Sequence, residues 1–136
     1  MNPDAIVYQL IGTEGFTRLT AAFYRRVRAD DLLGPMYPQD DWDGSEERLR
    51  DFLVFRFGGP QHYVVQRGHP RLRMRHAPFQ VDQRARDRWV QLMTAALDEV
   101  QLPEAARGPL LEFFHNTATF MINHAPPPRA GLPLTE

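Results

Sequence analysis

RGHPRLRMRHAPF, residues 67 to 79, poses the question that the rest of the sequence has to answer. Arg67, Arg71, Arg73 and Arg75, His69 and His76, and Pro70 and Pro78 surround only four apolar side chains: Leu72, Met74, Ala77 and Phe79. The stretch carries too much charge for a buried strand, and its prolines interrupt any long helix. Residues 72 to 77 predict a helix of one or two turns, closed by Pro78. His76 therefore sits in a short apolar and basic segment between two prolines, with longer amphipathic patterns on either side.

Those flanking patterns are helical. Asn2-Pro3 starts a first segment that runs to Ile11, and Gly12 stops it. Phe16, Leu19, Phe23, Tyr24 and Val27 share one face of a helix that starts at Thr13 or Gly15 and ends at Asp30-Asp31. Residues 34 to 44, GPMYPQDDWDG, read as a turn-rich connection. Asp43 or Ser45 caps the next helix, Glu46 and Glu47 sit in its first turn, and Leu49, Phe52, Leu53 and Phe57 line one side. Gly58-Gly59-Pro60 is a hard stop. Beyond the opening stretch, Asp82 caps a helix with an unbroken stripe of Ala85, Trp89, Leu92, Met93, Ala96, Leu97 and Val100. A last helix carries Leu110, Phe113, Phe114, Thr117 and Met121, and Gly108-Pro109 is expected to kink it or delay its start. No stretch alternates as a half-buried strand does. The expected fold class is all-α, with about five helices, one short helical turn and no internal repeat. The domain is expected over residues 1 to 125, followed by a proline-rich tail, 126 to 136, expected to be disordered.

The chain has 136 residues, enough for one domain with its own core. Cysteine is absent, which removes disulfides, thiolate metal sites and cysteine nucleophiles. No run of about 18 apolar residues suggests a membrane span, and MNPDAIVYQL is too acidic for a secretory leader, so the expected location is the cytoplasm. A net charge of −1 gives no sign of a nucleic-acid partner. All 16 basic residues are arginine, and seven of them fall between Arg67 and Arg88. They read either as a solvated surface or, for one or two of them, as a fork that holds an anionic group.

His62, His69 and His76 recur every seven residues, a spacing that would suit metal ligands on a continuous helix, but Gly58, Gly59, Pro60, Gly68 and Pro70 forbid that helix. Ser45 is the only serine and lies in no nucleophile elbow. Gly58-Gly59-Pro60 follows a helix rather than a strand and lacks the lysine of a phosphate loop. The nine Phe, four Tyr and two Trp are more suggestive. Tyr24 and Trp89 lie on apolar helix faces, each with a polar end that needs a partner if buried; both also suit an ordinary core near the surface.

Taken in order, Phe23-Tyr24 in a helix, Met36-Tyr37-Pro38 in a turn, Gly44-Ser45-Glu46-Glu47-Arg48-Leu49 opening a helix, Gly58-Gly59-Pro60, the stretch from Gly68 to Phe79 and then Trp89 resemble the truncated haemoglobins, and within them group II. The resemblance covers roughly residues 4 to 124, and Arg67 to Phe79 is its most specific part. It implies a globin-like, truncated two-over-two helical sandwich around one haem b. His76 would then be the iron ligand, through Nε2. Leu72, Met74 and Phe79 would touch the porphyrin, and Leu49 and Phe52 would wall the space beside the iron. Arg75 and Arg48 are candidates for the propionates, each equally readable as a surface arginine. Ser45 falls where other globins carry a distal histidine. Tyr24, Tyr37 and Trp89 would line the ligand cavity and carry its chemistry.

On that resemblance the opening question has an answer: the ligand would point into an apolar slot while its segment bends around the haem edge, apolar side inward and arginines toward carboxylates or water. The implied function is tight binding of O2, with NO and CO as further ligands, serving redox chemistry or scavenging. NO dioxygenase or peroxidase-like turnover would need an external reductase, since no flavin or nicotinamide motif is present. The resemblance leaves room for a homodimer. A haem-based gas sensor acting through a partner protein is the alternative, and a haem-free helical binding module a third reading. Phe57 departs from the family pattern, standing where relatives carry tryptophan, which bears on an edge contact. Gly108-Pro109 departs too, and bears on an oligomer surface.

Overall fold

The fold is built from the amphipathic faces just described, and the computed structural model describes residues 3–59 and 82–121. Among the described residues there are four α-helices: α1, Val7–Ala29; α2, Trp42–Arg56; α3, Gln83–Val100; and α4, Glu104–Phe120. Two short 3-10 turns, Pro3–Ile6 and Gly34–Met36, precede α1 and α2. No strand occurs among the described residues. The expected short helix at 72 to 77 and the tail at 126 to 136 lie outside the described residues.

Helix α1 is the hub. It packs against both α2 and α3, α3 packs against α4, and α4 reaches back to α1 and the first 3-10 turn. The face read from the sequence is the buried one: Phe16, Leu19, Phe23 and Val27 are all fully enclosed. Each such side chain stabilises the fold by roughly 1.5–3 kcal/mol relative to exposure. Thr20 is buried among them, and its hydroxyl donates to the Phe16 carbonyl at 2.9 Å, so no polar group is stranded. The α3 stripe buries Ala85, Met93, Ala96, Leu97 and Val100, and leaves Trp89 and Leu92 partly covered. Arg18 on α1 donates to the Val100 carbonyl at 2.7 Å and so caps the far end of α3.

Asp82 caps α3 as expected, accepting from the Ala85 amide at 2.8 Å. Gly12 interrupts α1 as expected too, but as a kink rather than an end: its φ of 62° and ψ of −176° are non-helical, and helix continues on both sides. Helix α2 differs from expectation. Neither Asp43 nor Ser45 caps it; the helix begins at Trp42, with Asp41 in front of it. Asp41 instead lends its carboxylate to Arg48, at 3.0 Å. The exit of α2 is tight, because a Cβ on Gly59 would lie 2.5 Å from Val54 and 2.6 Å from the Tyr8 ring. Helix α4 also departs from expectation in its start, which Pro109 does not delay. It begins at Glu104 and runs through Pro109 to Phe120. Proline there removes the donor for the Ala105 carbonyl, and Ala105 is exposed, so water can take its place.

Gly12 yields a clean test. Nothing lies within 4 Å of a Cβ built there, so only the backbone conformation demands glycine. Gly12→Ala is expected to destabilise the protein by about 1–3 kcal/mol in urea unfolding. An unchanged midpoint would show that the kink is not maintained in solution.

Candidate functional site

Five parts of the fold bring aromatic rings to one place. Tyr24 comes from the C-terminal half of α1, Tyr37 from the end of the second 3-10 turn, Trp42 from the first residue of α2, Trp89 from α3 and Phe114 from α4. The rings run in a chain. Tyr24 meets Tyr37 edge-on, with centroids 5.6 Å apart, and Phe23 edge-on at 5.1 Å. Phe23 meets Trp89 at 4.9 Å, and Trp89 meets Phe114 at 5.6 Å. Edge-to-face and tilted contacts match the negative face of one ring to the positive edge of the next.

The polar ends of three of these residues converge. Tyr24 is buried, and its phenol is held well above the usual range. Burial is the main cause, followed by the charge and hydrogen bonding of the Tyr37 phenol, with Arg48 pulling the other way. Burial likewise raises the Tyr37 phenol, opposed by hydrogen bonds with the Trp89 indole and the Tyr24 hydroxyl. Tyr37 as a whole is half-buried. Both phenols therefore stay protonated at neutral pH and remain O–H donors, beside an indole that can only donate.

The loop that delivers Tyr37 is pinned. The Asp30 carboxylate accepts from the Leu32 and Leu33 amides at 3.0 and 2.8 Å, and from Arg88 at 2.5 Å. Burial works against the Asp30 charge, yet the Leu33, Arg88 and Leu32 hydrogen bonds hold its carboxyl below the ordinary value. Arg88 adjoins Trp89, so one ion pair ties the start of α3 to the end of α1 beside the site. Gln39 closes the loop by donating to the Gly34 and Tyr37 carbonyls at 2.8 and 2.7 Å.

The first turns of α2 lie next to Tyr24. Ser45 is buried, and Arg48 reaches its hydroxyl at 3.3 Å as well as Asp41. Leu49 is partly buried one residue on; Phe52 is buried and packs against Phe113 at 6.1 Å. Of the residues singled out in the sequence, Tyr24, Tyr37 and Trp89 are brought together. Ser45, Arg48 and Leu49 form the adjoining turn, and Phe52 sits further along α2. Leu72, Met74, Arg75, His76 and Phe79 lie outside the described residues. Phe57 proves to be a core residue, fully buried, stacked on Phe16 at 6.0 Å and edge-on to Phe113 at 5.1 Å. Sequence reasoning passed over Trp42, which stacks on Tyr37 at 5.7 Å and meets Tyr24 at 6.5 Å. The available signal was a tryptophan five residues after Tyr37 in an otherwise polar turn.

The chemistry of this arrangement is specific. Neutral O–H and N–H donors facing one another inside an aromatic wall suit a small ligand that develops negative charge, and the flat apolar surround suits a planar aromatic cofactor. Among the described residues no cluster of His, Asp or Glu could hold a metal ion by itself. A metal used here would therefore enter as part of a prosthetic group or be held by residues outside the described set.

Comparison with known proteins agrees. Residues 6–123 match the family model of the bacterial-like globins. The group 2 truncated hemoglobin YjbI of Bacillus subtilis (strain 168) is 36% identical over 116 residues, 85% of this chain and 87% of that protein. The thermostable hemoglobin of the actinobacterium Thermobifida fusca has a TM-score of 0.82 at 47% identity, over 86% of this chain and 96% of that one. The truncated oxygen-avid haemoglobin of Bacillus subtilis has a TM-score of 0.82 at 36% identity, over 86% and 98%. The chain belongs to the bacterial-like globins, as a group II truncated haemoglobin with the two-over-two fold and haem b as its cofactor. No described helix is long and apolar enough to cross a membrane.

The raised phenols carry a prediction with a definite sign. The folded state keeps protons on Tyr24 and Tyr37 that the unfolded chain releases near pH 10, so stability is full below that pH and falls above it. In ultraviolet difference titration, Tyr24→Phe and Tyr37→Phe are each expected to leave the absorbance rise near pH 10 unchanged. A smaller rise in either variant would show that its phenol ionises normally.

Proposed function

We propose that the chain binds O2 tightly at a five-coordinate haem iron beneath a Tyr24, Tyr37 and Trp89 pocket, and serves O2/NO redox chemistry or scavenging rather than bulk transport. The observation that carries this reading is the convergence of the three polar ends inside the aromatic wall. In the proposal His76 holds the iron, Leu72, Met74, Phe79, Leu49 and Phe52 cover the porphyrin, and Arg75 and Arg48 take its carboxylates. Ser45 is small enough to leave the distal space open. When bound, haem b supplies the iron at which diatomic gases are taken up.

The chain's own part is to hold protons at fixed atoms. Tyr24 and Tyr37 hydroxyls and the Trp89 Nε1–H donate to a ligand that draws negative charge, each bond contributing roughly 1.5–3 kcal/mol. Two such bonds slow escape of the ligand by roughly two to four orders of magnitude. The ring wall keeps out competing water, which strengthens the same bonds. Slow release suits a scavenger or a redox protein better than a carrier. The oxygen-avid character stated for the Bacillus subtilis relative points the same way. Turnover would draw electrons from an external reductase, and NO consumption by the oxygenated protein under a recycling reductant is the assay that tests the redox reading. A protein that fails to consume NO beyond one equivalent would be a binder only.

Two substitutions test the site itself. His76→Ala is expected to abolish stable haem incorporation, followed by the Soret band, while His69→Ala retains it; the reverse would assign the iron to the other imidazole. Trp89→Phe is expected to speed O2 dissociation more than about tenfold in stopped-flow, from loss of one hydrogen bond to a charged acceptor. An unchanged rate would remove the indole from the ligand's surroundings.

A further inference from the structure

Tyr37 is the one donor of the three that no helix holds. It follows the Gly34–Met36 turn with an extended backbone, φ −101° and ψ 153°. Its main chain is pinned by its own amide to Gly34 and by Gln39 on its carbonyl. These bonds fix where the residue is, but not where its ring points. Ring direction is set by neighbours: among the described residues two rings pack against it, Tyr24, edge-on, and Trp42, stacked with planes 24° apart, while its hydroxyl meets the Tyr24 hydroxyl and the Trp89 indole. Trp42 also meets Tyr24 at 70°, so the same indole braces both phenols. The Arg28 guanidinium lies over the Trp42 ring, 5.3 Å from its centroid. Arg28 belongs to the last turn of α1, four residues after Tyr24. Trp42 opens α2, and Asp41 just before it is tied to Arg48. The indole is thus clamped between the end of one helix and the start of another, with both tyrosines against it.

We propose that Trp42, braced by Arg28, is a positioning residue that sets the direction of the Tyr24 and Tyr37 hydroxyls and through them how long a ligand is retained. The inference rests on the distal-pocket reading above. Stacking on a large, half-buried indole confines the Tyr37 ring, and a confined phenol gives up less freedom when its O–H engages a ligand. A leucine at 42 would keep the site apolar but release the ring, so both phenols would sample several directions. Trp42 itself need not touch the ligand.

The test uses the haem-loaded full chain. In Trp42→Leu the C–O stretch of the ferrous carbonyl complex is expected to broaden or split, because the donors no longer share one orientation. O2 dissociation should rise roughly two- to tenfold, the equivalent of one aromatic contact. Trp42→Phe, which keeps a ring to stack on, should restore a single band and a rate within about twofold of the parent. In a Tyr37→Phe background, Trp42→Leu should act through Tyr24 alone and so have a smaller effect than in the parent. An unshifted, single C–O band with an unchanged rate in Trp42→Leu would overturn the proposal. If Trp42→Leu does not load haem, Trp42→Met supplies the same test. Failure of both while Trp42→Phe loads would equally overturn a role confined to orientation. Tyr24→Phe in the parent separates the two levels. If it changes band and rate and Trp42→Leu does not, only the role of Trp42 fails; if Tyr24→Phe is also silent, the distal-pocket reading fails with it.

Discussion

The structure depends on hydrogen-bond donors kept un-ionised inside an aromatic wall. An unpartnered buried phenol or indole costs about 1–3 kcal/mol, so Tyr24, Tyr37 and Trp89 can be enclosed only if they face one another or a ligand. That constraint explains why the surrounding turns are so heavily tied down. Asp30 gathers two amides and Arg88, Gln39 closes the loop, and Arg48 bridges Asp41 and Ser45. Each of these contacts is modest alone. Together they bring α1, α2 and α3 to a single point from which three donors emerge, while the hydrophobic faces of the same helices supply the driving force for assembly.

Arginine is the device that recurs around this point. The sequence allowed two uses for it, a solvated surface or a grip on an anion, and the described residues add a third. Arg28 lies over Trp42, while Arg56 lies 5.1 Å from the Phe57 centroid and 4.9 Å from that of Phe113. A planar guanidinium can cover an aromatic face and still bond a carboxylate through its edge, as Arg56 does with Asp4 at 2.9 Å. A lysine, with its compact and strongly hydrated charge, would do only one of these. The isolated surface pairs, such as Arg107 with Asp98, contribute little beside this.

What could be read from sequence follows from periodicity. Phe16, Leu19, Phe23 and Val27 mark the buried side of α1 because a helix returns to the same face every three or four residues, and the α3 stripe is legible for the same reason. Tyr24 and Trp89 were visible as polar-ended rings on those faces. Tyr37 has no helical period around it, so only the likeness to truncated haemoglobins singled it out. Trp42 escaped because its turn-rich surroundings hid the first residue of α2, whose cap was expected at Asp43 or Ser45. A kink or a delayed start was expected at Gly108-Pro109, yet α4 begins at Glu104, because Ala105, whose carbonyl Pro109 leaves without a donor, is exposed to water. Local pattern finds helices; which of their ends meet is decided by tertiary contacts such as Arg88 with Asp30, which join residues 58 positions apart.

The account makes the Trp89 N–H a donor to the ligand and Trp42 a brace that never reaches it. The chain has only these two indoles, so 15N-indole labelling gives one resonance for each. Comparing the diamagnetic carbonyl and oxygenated forms of the haem-loaded protein tests the claim directly, because O2 draws more negative charge than CO. The Trp89 indole resonance should move clearly between the two forms while that of Trp42 stays nearly in place. Two unmoved indoles, or a larger shift at Trp42, would contradict the account.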